Sequence, residues 1–411
     1  MRLKKMVIMK LKELLGSGKA TLVLGLLGLY LLSAGTSWAV FSLLGESPAG
    51  NVFVDVGELE STRSQIMQLP KTESCPINGK LYTKPEKAIW ETRRPIAAMI
   101  ENHADSRPVQ GLSRADVVYE AVAEGGITRL LGVFYCGAAG SEVEIAPVRS
   151  VRVYFVDWAS EYSEFPIFMH VGGANDFGGF GDTAKEARAL ELLASMGWRV
   201  PGGNDFDTIY DSGFPVFYRN PDRLGHPIAT EHTMVANLDR AYDEAVDRGF
   251  ANKDTRGDSW DKVFIPWKFF EDKPLSSPKV SEVSFEFWSD SPDYDVKWVY
   301  DSQSNSYKRF NGDKSYVDLE FDNVQLTSKN VVVMSVVERG PVDRNKHILY
   351  TTVGKGSALI YQNGDEIKAT WEKKSRTDRT RFYDSAGKEV SFVNGEIWIE
   401  VVPKGNKINT K

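Results

Sequence analysis

The sequence predicts an α+β protein in which one transmembrane helix precedes an N-terminal mixed α/β-type domain and then a β-rich domain. Three observations carry this. Residues 20–44 contain no charge. Between Pro95 and Arg248, strand-like apolar segments alternate with two stretches of helical spacing. From Val280 onward, short β-type runs dominate, several of them separated by turn dipeptides.

Residues 1–19 form a basic segment in which Arg2, Lys4, Lys5, Lys10, Lys12 and Lys19 face a single acid, Glu13. A helix needs roughly 20 apolar residues to cross the hydrocarbon core, and the run over 20–44 exceeds that. The basic flank marks the cytoplasmic side, which places everything after Leu44 on the extracytoplasmic face of a cell membrane as a single-pass protein. Ser37-Trp38-Ala39 offers signal peptidase a small-x-small site, so a cleaved leader competes with a retained anchor. The length of the run favours retention, and both readings export the body.

Residues 45–88 lack sustained periodicity and read as a stalk with at most one short helix around Leu59 to Leu69. The mixed domain spans 89–257. In it, Ile96 to Ile100 reads as a strand, Ala115 to Glu120 as strand or helix, and Thr128 to Tyr135 as a buried strand. Val151 to Ala159 passes from strand into helix. Ala184 to Met196 and Thr233 to Arg248 carry helical spacing, ended by Gly197 and Gly249. Thr230 is placed to cap the second helix. The β-rich domain spans 280–404, with turns at Asn311-Gly312, Asn363-Gly364 and Asn394-Gly395. The boundary falls between Gly257 and Val280.

Composition narrows the partners. Charged residues at 26% and hydrophobic residues at 42% are ordinary for a folded body. A net charge of -6 argues against nucleic acid, which requires a clustered basic surface. Cys75 and Cys136 fit no zinc spacing; outside the cytoplasm an even pair is able to bond, although a chain of this size needs no staple. His226, Glu231 and His232 lack the helical i, i+4 histidine pair, so no metal is expected. The glycines of 172–181 are not a dinucleotide fingerprint, and no cofactor is expected.

The densest polar region runs from Arg94 to Arg152. Charges inside apolar strands are costly unless paired, so Glu120, Glu124, Arg129, Arg149 and Arg152 are either an ion-pair network or a site. As a network, Glu120 or Glu124 pairs with one of the three arginines. As a site, Arg149 and Arg152 present planar forks to a phosphate or carboxylate, with backbone brought close at Gly125-Gly126. The expectation is a buried Arg129 and an exposed Arg152. His170, at the end of the FPIFMH strand and before two glycines, and His232, in HPIATEH, complete the candidate set.

At these residues the chain resembles the YerB-like family, exported bacterial proteins of two consecutive domains and unassigned function. The similarity lies in Pro95 to Met99 with Asn102, Arg107-Pro108, Ala115 to Glu120, Glu124 to Arg129, Pro147 to Arg152 and His170 to Gly173. It continues in Gly354 to Ala358, Thr370-Trp371, Thr380 to Asp384 and Ile397 to Glu400. The family's lipid-attachment cysteine is missing, which leaves the helix as anchor. Ala174 stands where a serine is expected, and Glu231-His232-Thr233 matches only partly. The resemblance implies a cell-envelope role beside peptidoglycan-synthesis proteins and supplies no catalytic residue. Arginines on successive strands also look similar to the LytR-CpsA-Psr phosphotransferases, at the level of arrangement alone. Two functions follow: a protein that binds a wall polymer or wall-synthesis partner through an arginine/glutamate-lined cleft, or a phosphotransferase or hydrolase acting on a phospho-glycan or polyprenyl pyrophosphate.

Overall fold

A computed structural model describes residues 63–411. The predicted anchor, its basic flank and the first part of the predicted stalk lie outside the described residues. Among the described residues, no helix is long and apolar enough to cross a membrane. The architecture is mixed α/β, with a large β-rich portion and few helices.

Order begins earlier than the stalk reading allows. Lys71–Ser74 pairs antiparallel with Leu81–Thr83, and Cys75 is disulfide-bonded to Cys136. Helix α1 (Lys84–Trp90) follows, closed by a capping box in which the Thr83 hydroxyl accepts from the Glu86 N–H while the Glu86 carboxylate accepts from the Thr83 N–H. Ile77, Tyr82 and Trp90 are buried in the core. Strands of three or four residues are too short for alternation to register in the sequence, which is why this segment reads as a stalk.

The principal sheet draws first on β1 (Ile96–Glu101), β2 (Val117–Glu124) and β3 (Ile127–Phe134). Helix α2 (Val153–Ala159), β4 (Ile167–His170), α3 (Ala189–Ser195), β5 (Asp205–Asp207) and α4 (Leu238–Asp247) follow. A second sheet contains β6 (Glu282–Phe285), β7 (Val296–Asp301) and β8 (Ser306–Asn311) in antiparallel register. The chain then returns to the principal sheet with β9 (Asn330–Val336), β10 (Gly354–Gln362), β11 (Asp365–Lys373), β12 (Arg381–Asp384) and β13 (Ile397–Pro403). The order across it is β12-β11-β10-β9-β13-β2-β3-β1-β4-β5. The segments 89–257 and 280–404 therefore contribute to one sheet. Strand β13 joins them, parallel to β9 on one side and to β2 on the other. A strand flanked on both edges and covered on both faces reads as an unbroken apolar run, and Ile-Trp-Ile-Glu-Val-Val is one, apart from its glutamate.

That glutamate is the exception that needs an account. Register places Glu400 beside Glu120 on β2, and both side chains are fully buried. Arg309 of β8 supplies the compensation: its Nη2 donates to Glu120 at 2.9 Å, and its Nε lies 3.4 Å from Glu400. Burial and the charge of Glu120 push the Glu400 carboxyl well above the usual range, against the pull of Arg309. The guanidinium thus pairs with Glu120, while burial and that neighbour favour the protonated form of Glu400. Trp298 Nε1 donates to Glu400 at 2.9 Å, and Asn102 and Thr128 donate to Glu120 at 3.1 and 2.8 Å.

Two predicted helices are shorter than their spacing suggested. Arg188, with ψ near 87°, separates a 3-10 turn at Lys185–Ala187 from α3. Met234–Asn237 is a strand paired with Phe217–Arg219, and α4 starts only after Asn237, whose side chain accepts from the Arg240 N–H. Asn237, not Thr230, is the cap.

Arg309→Met should cost about 3–5 kcal/mol, because it leaves a buried carboxylate without its partner. The triple change Glu120→Leu, Arg309→Met and Glu400→Leu should restore most of that stability. Denaturant melts check both, and a nearly unperturbed Arg309→Met protein would refute the pairing.

Candidate functional site

Within the Arg94–Arg152 region, Glu101, Glu124, Arg129, Arg149 and Arg152 form a connected chain at the β1, β2 and β3 end of the sheet. Glu101 closes β1 directly across from Arg129 on β3. Its Oε1 accepts from Arg149 Nε at 3.1 Å, and its Oε2 lies 2.8 Å from His232 Nδ1. The imidazole of His232 stacks on His103 with ring centroids 5.0 Å apart. Arg149 is held in place by its backbone, donating its N–H to Met99 O and accepting from the Val171 N–H.

The other end of the chain is Glu124. Gly125 and Gly126, both at positive φ, make the turn between β2 and β3. Arg152 clamps Glu124 with two parallel bonds of 2.9 and 2.6 Å, the forked geometry that a guanidinium prefers. Arg129 lies 3.6 Å from the same carboxylate and donates to Ser150 O at 2.9 Å. Burial alone would raise the Glu124 carboxyl, yet the charges of Arg129 and Arg152 bring it down to about 2. Burial and the nearby Arg152 lower the Arg129 guanidinium to about 10.

Arg129, Arg149, Arg152, Glu124 and His232 are thus brought together, with Glu101 and His103 added. The three arginines face Glu101 and Glu124, both already engaged, and a third carboxylate, that of exposed Glu231, lies within electrostatic reach of Arg149, His232 and His103. Arg129 is buried as expected, but the exposure expected of Arg152 is not found. The side chain of Arg152 is 9% exposed and locked in its fork, whereas that of Arg149 is 29% exposed. Both terminal nitrogens of Arg149 have no hydrogen-bond partner among the described residues. The glycines of 125–126 shape the turn that presents Glu124.

Two candidates stand apart. Glu120 belongs to the buried Arg309 pairing. His170 is fully buried, with Nδ1 on Gly172 O at 2.9 Å and Nε2 on Asp205 at 2.5 Å. Burial disfavours its charged form, but Asp205 outweighs that and raises its pKa. Its effect on the site is indirect: it orders the turn through which Gly172 O accepts from the Val151 N–H. Sequence reasoning passed over Glu101 as the hub. The signal was its place as the sole charge in the otherwise apolar strand β1.

Residues 81–250 match the family described as protein of unknown function (DUF3048) N-terminal domain, and residues 283–399 match its C-terminal domain. The chain belongs to the YerB-like DUF3048 family. YerB of Bacillus subtilis (strain 168), provisionally named a lipoprotein, is 26% identical over 333 residues, covering 81% of this chain and 87% of that one. A crystal structure of YerB from Bacillus subtilis shares the fold, with a TM-score of 0.63 at 23% identity, over 82% of this chain and 100% of that one. The resemblance read from the strand motifs is borne out. The family's own description assigns no activity, so the reading of the site rests on its geometry.

Arg152→Met should lower stability by about 2–3 kcal/mol, since it removes both bonds of the fork from Glu124, a side chain 30% exposed that then keeps only Arg129 at 3.6 Å. Arg149→Met should cost less, about 1 kcal/mol, because it removes a single bond from Glu101, whose other oxygen keeps His232. Equal losses in thermal melts of the two variants would contradict the assigned roles. Glu124 gives a pH signature. With its folded pKa depressed from 4.5 to about 2, its contribution is present above the unfolded value and lost as pH falls through the folded one. The stability advantage of the wild type over Glu124→Gln should therefore shrink only below about pH 4.5; an advantage unchanged down to pH 2 would overturn the pairing.

Proposed function

We propose that this is a membrane-anchored extracytoplasmic protein of the cell envelope that binds an anionic, phosphate-bearing wall polymer at Arg149. The observation that carries the reading is the half-exposed guanidinium of Arg149, oriented by Glu101 through Nε while its two terminal nitrogens keep their donors free. A guanidinium edge with two parallel donors matches a phosphate diester or carboxylate. Glu101, which orients it, also holds His232, whose ring stacks on that of His103.

Location rests on three supports. The basic segment and apolar run of 1–44 read as an anchor. The Cys75–Cys136 disulfide suits an oxidising compartment. The relative YerB is provisionally named a lipoprotein, a class tethered to membranes.

Binding is preferred over catalysis because the carboxylate beside the arginines is locked. Glu124, held near 2 by two guanidiniums, is a poor proton carrier at neutral pH, where a general acid or base is best poised.

In intact spheroplasts, added protease should degrade the body, and the purified full-length protein should bind poly(glycerol phosphate). Arg149→Met should weaken that binding at least about tenfold, and rising salt should weaken wild-type binding, as expected for partly exposed charges. Protection of the body from protease would overturn the location; equal polymer binding by wild type and Arg149→Met would overturn the site.

A further inference from the structure

The glycine loop that follows β4 takes no part in the arginine chain, and it holds two aromatic rings out of the body. Phe180 is fully exposed and Phe177 is 59% exposed, while Ile209, also exposed, lies against Gly172 at the base of the same loop. Single exposed apolar residues need no explanation, but a cluster of large ones marks a surface that meets an apolar partner. The loop is built to present them. Asp176, whose side chain is almost wholly buried, accepts from the Gly179 N–H through its carbonyl at 2.9 Å and from the Gly181 N–H through Oδ1 at 2.7 Å. Its Oδ2 holds Arg188 at 2.7 Å, and its own N–H donates to Glu191 of α3 at 2.6 Å. Gly179, at φ +68°, turns the chain back between the two rings. Residues 177–181 carry no charge, and two of their N–H groups are satisfied inside the loop. Both facts lower the cost of taking this tip out of water.

The length of the chain says what the tip meets. Strand β4 runs parallel to β1, so the loop leaves the sheet at the end where Glu101 holds Arg149, and the Val171 N–H donates to Arg149 O. The described chain begins at the other end, where Arg63 pairs with Asp239, which also holds Arg93 just ahead of β1. The six residues of β1 rise about 20 Å. Residues 45–62 reach at most about 60 Å when extended. A chain anchored through 20–44 therefore has length to spare for this end of the sheet to touch the bilayer. The tether also keeps that bilayer at a high effective concentration, which no free partner has.

We infer that the loop over 176–182 is a membrane-docking tip, which places Phe177 and Phe180 in the interfacial layer of the bilayer that carries the anchor. This rests on the reading of 20–44 as that anchor, and it adds that the end of the sheet bearing Arg149 faces the bilayer. The contact is apolar rather than electrostatic. The acids that flank the tip, Asp176 and Asp182, are engaged by Arg188 and Arg344, and the tip itself holds no cation to seek anionic lipids. Two aromatic rings on an uncharged turn suit the shallow depth of about 5–10 Å at which surface-seated segments rest.

The test uses the full-length protein in phosphatidylcholine vesicles, with Trp38→Phe removing the indole of the apolar run and Phe180→Trp placing a reporter at the tip. Lipids brominated near the top of their acyl chains should quench about half or more of the added emission, and aqueous iodide should quench little of it. Val324→Trp, at a partly exposed position in the hairpin of Val317–Asp318 with Val324–Gln325, should respond to iodide and not to bromine. Molar salt, which should release poly(glycerol phosphate) from Arg149, should leave the bromine quenching unchanged. Vesicle flotation separates the two readings. A protein that does not float overturns the anchor and the docking tip together, whereas one that floats with its tip open to iodide and untouched by bromine overturns the docking tip alone. Emission shielded from both quenchers would also overturn it, because a second copy or residues 45–62 would then cover the rings, as would equal bromine quenching at positions 180 and 324.

Discussion

Everything in this fold depends on how a single arginine settles two glutamates in the middle of a sheet. Glu120 and Glu400 sit side by side on adjacent parallel strands, an arrangement that would repel if both were ionised. Arg309 arrives from the second sheet to pair with Glu120, and burial together with that neighbour raises the Glu400 carboxyl. The contact is therefore more than local. It fixes the register of β13 against β2, docks the second sheet onto the first, and leaves Asn102 and Thr128 hydrogen-bonded to Glu120 at the base of the Glu101 strand. A buried arrangement of this kind adds little net stability over an apolar core, but it ties the alignment of the strands to the position of Arg309, although Arg309 Nε and Glu400 Oε2 have no hydrogen-bond partner among the described residues.

The arginine chain at the sheet end follows the same economy with a different outcome. There too, carboxylates meet guanidiniums, but the count is uneven and the location is at a strand terminus rather than a strand centre. Glu124 consumes Arg152 and leans on Arg129. Glu101 divides itself between Arg149 and His232. The surplus positive charge comes to the surface at one side chain. Burial thus separates the two clusters into a closed one that orders the fold and one that leaves the Arg149 guanidinium partly exposed.

How much of this was legible in the sequence follows from the range of each interaction. Strands β1 and β3 were readable because four or more consecutive apolar residues announce burial without any knowledge of neighbours. The last turn of α4 was readable from Gly249, which takes the positive φ that ends a helix. Its start was not, because Met234 and Val235 fit a helical stripe as well as a strand, and only pairing with Phe217–Arg219 decides between them. The gathering of Arg129, Arg149 and Arg152 was legible from their placement around apolar strands. Which of them would be exposed was not, since that depends on the turn at Gly125 carrying Glu124 to Arg152. The partnership of Arg309 with Glu120 lies beyond any local pattern, although an arginine in phase with buried Tyr307 on β8 marked it as an inward-facing charge.

The position of β13 carries a consequence for how the molecule is made. It is synthesised after every other strand of its sheet, yet it occupies the middle of the sheet rather than an edge. Until residues 397–403 emerge, β2 and β9 each present an unpaired backbone rim bordered by apolar side chains, the kind of surface that recruits stray strands. Pairings this distant along the chain also form slowly. The nascent protein therefore passes through a stage in which two half-sheets wait for a keystone, and protection of those rims during synthesis is a requirement that the finished architecture no longer displays.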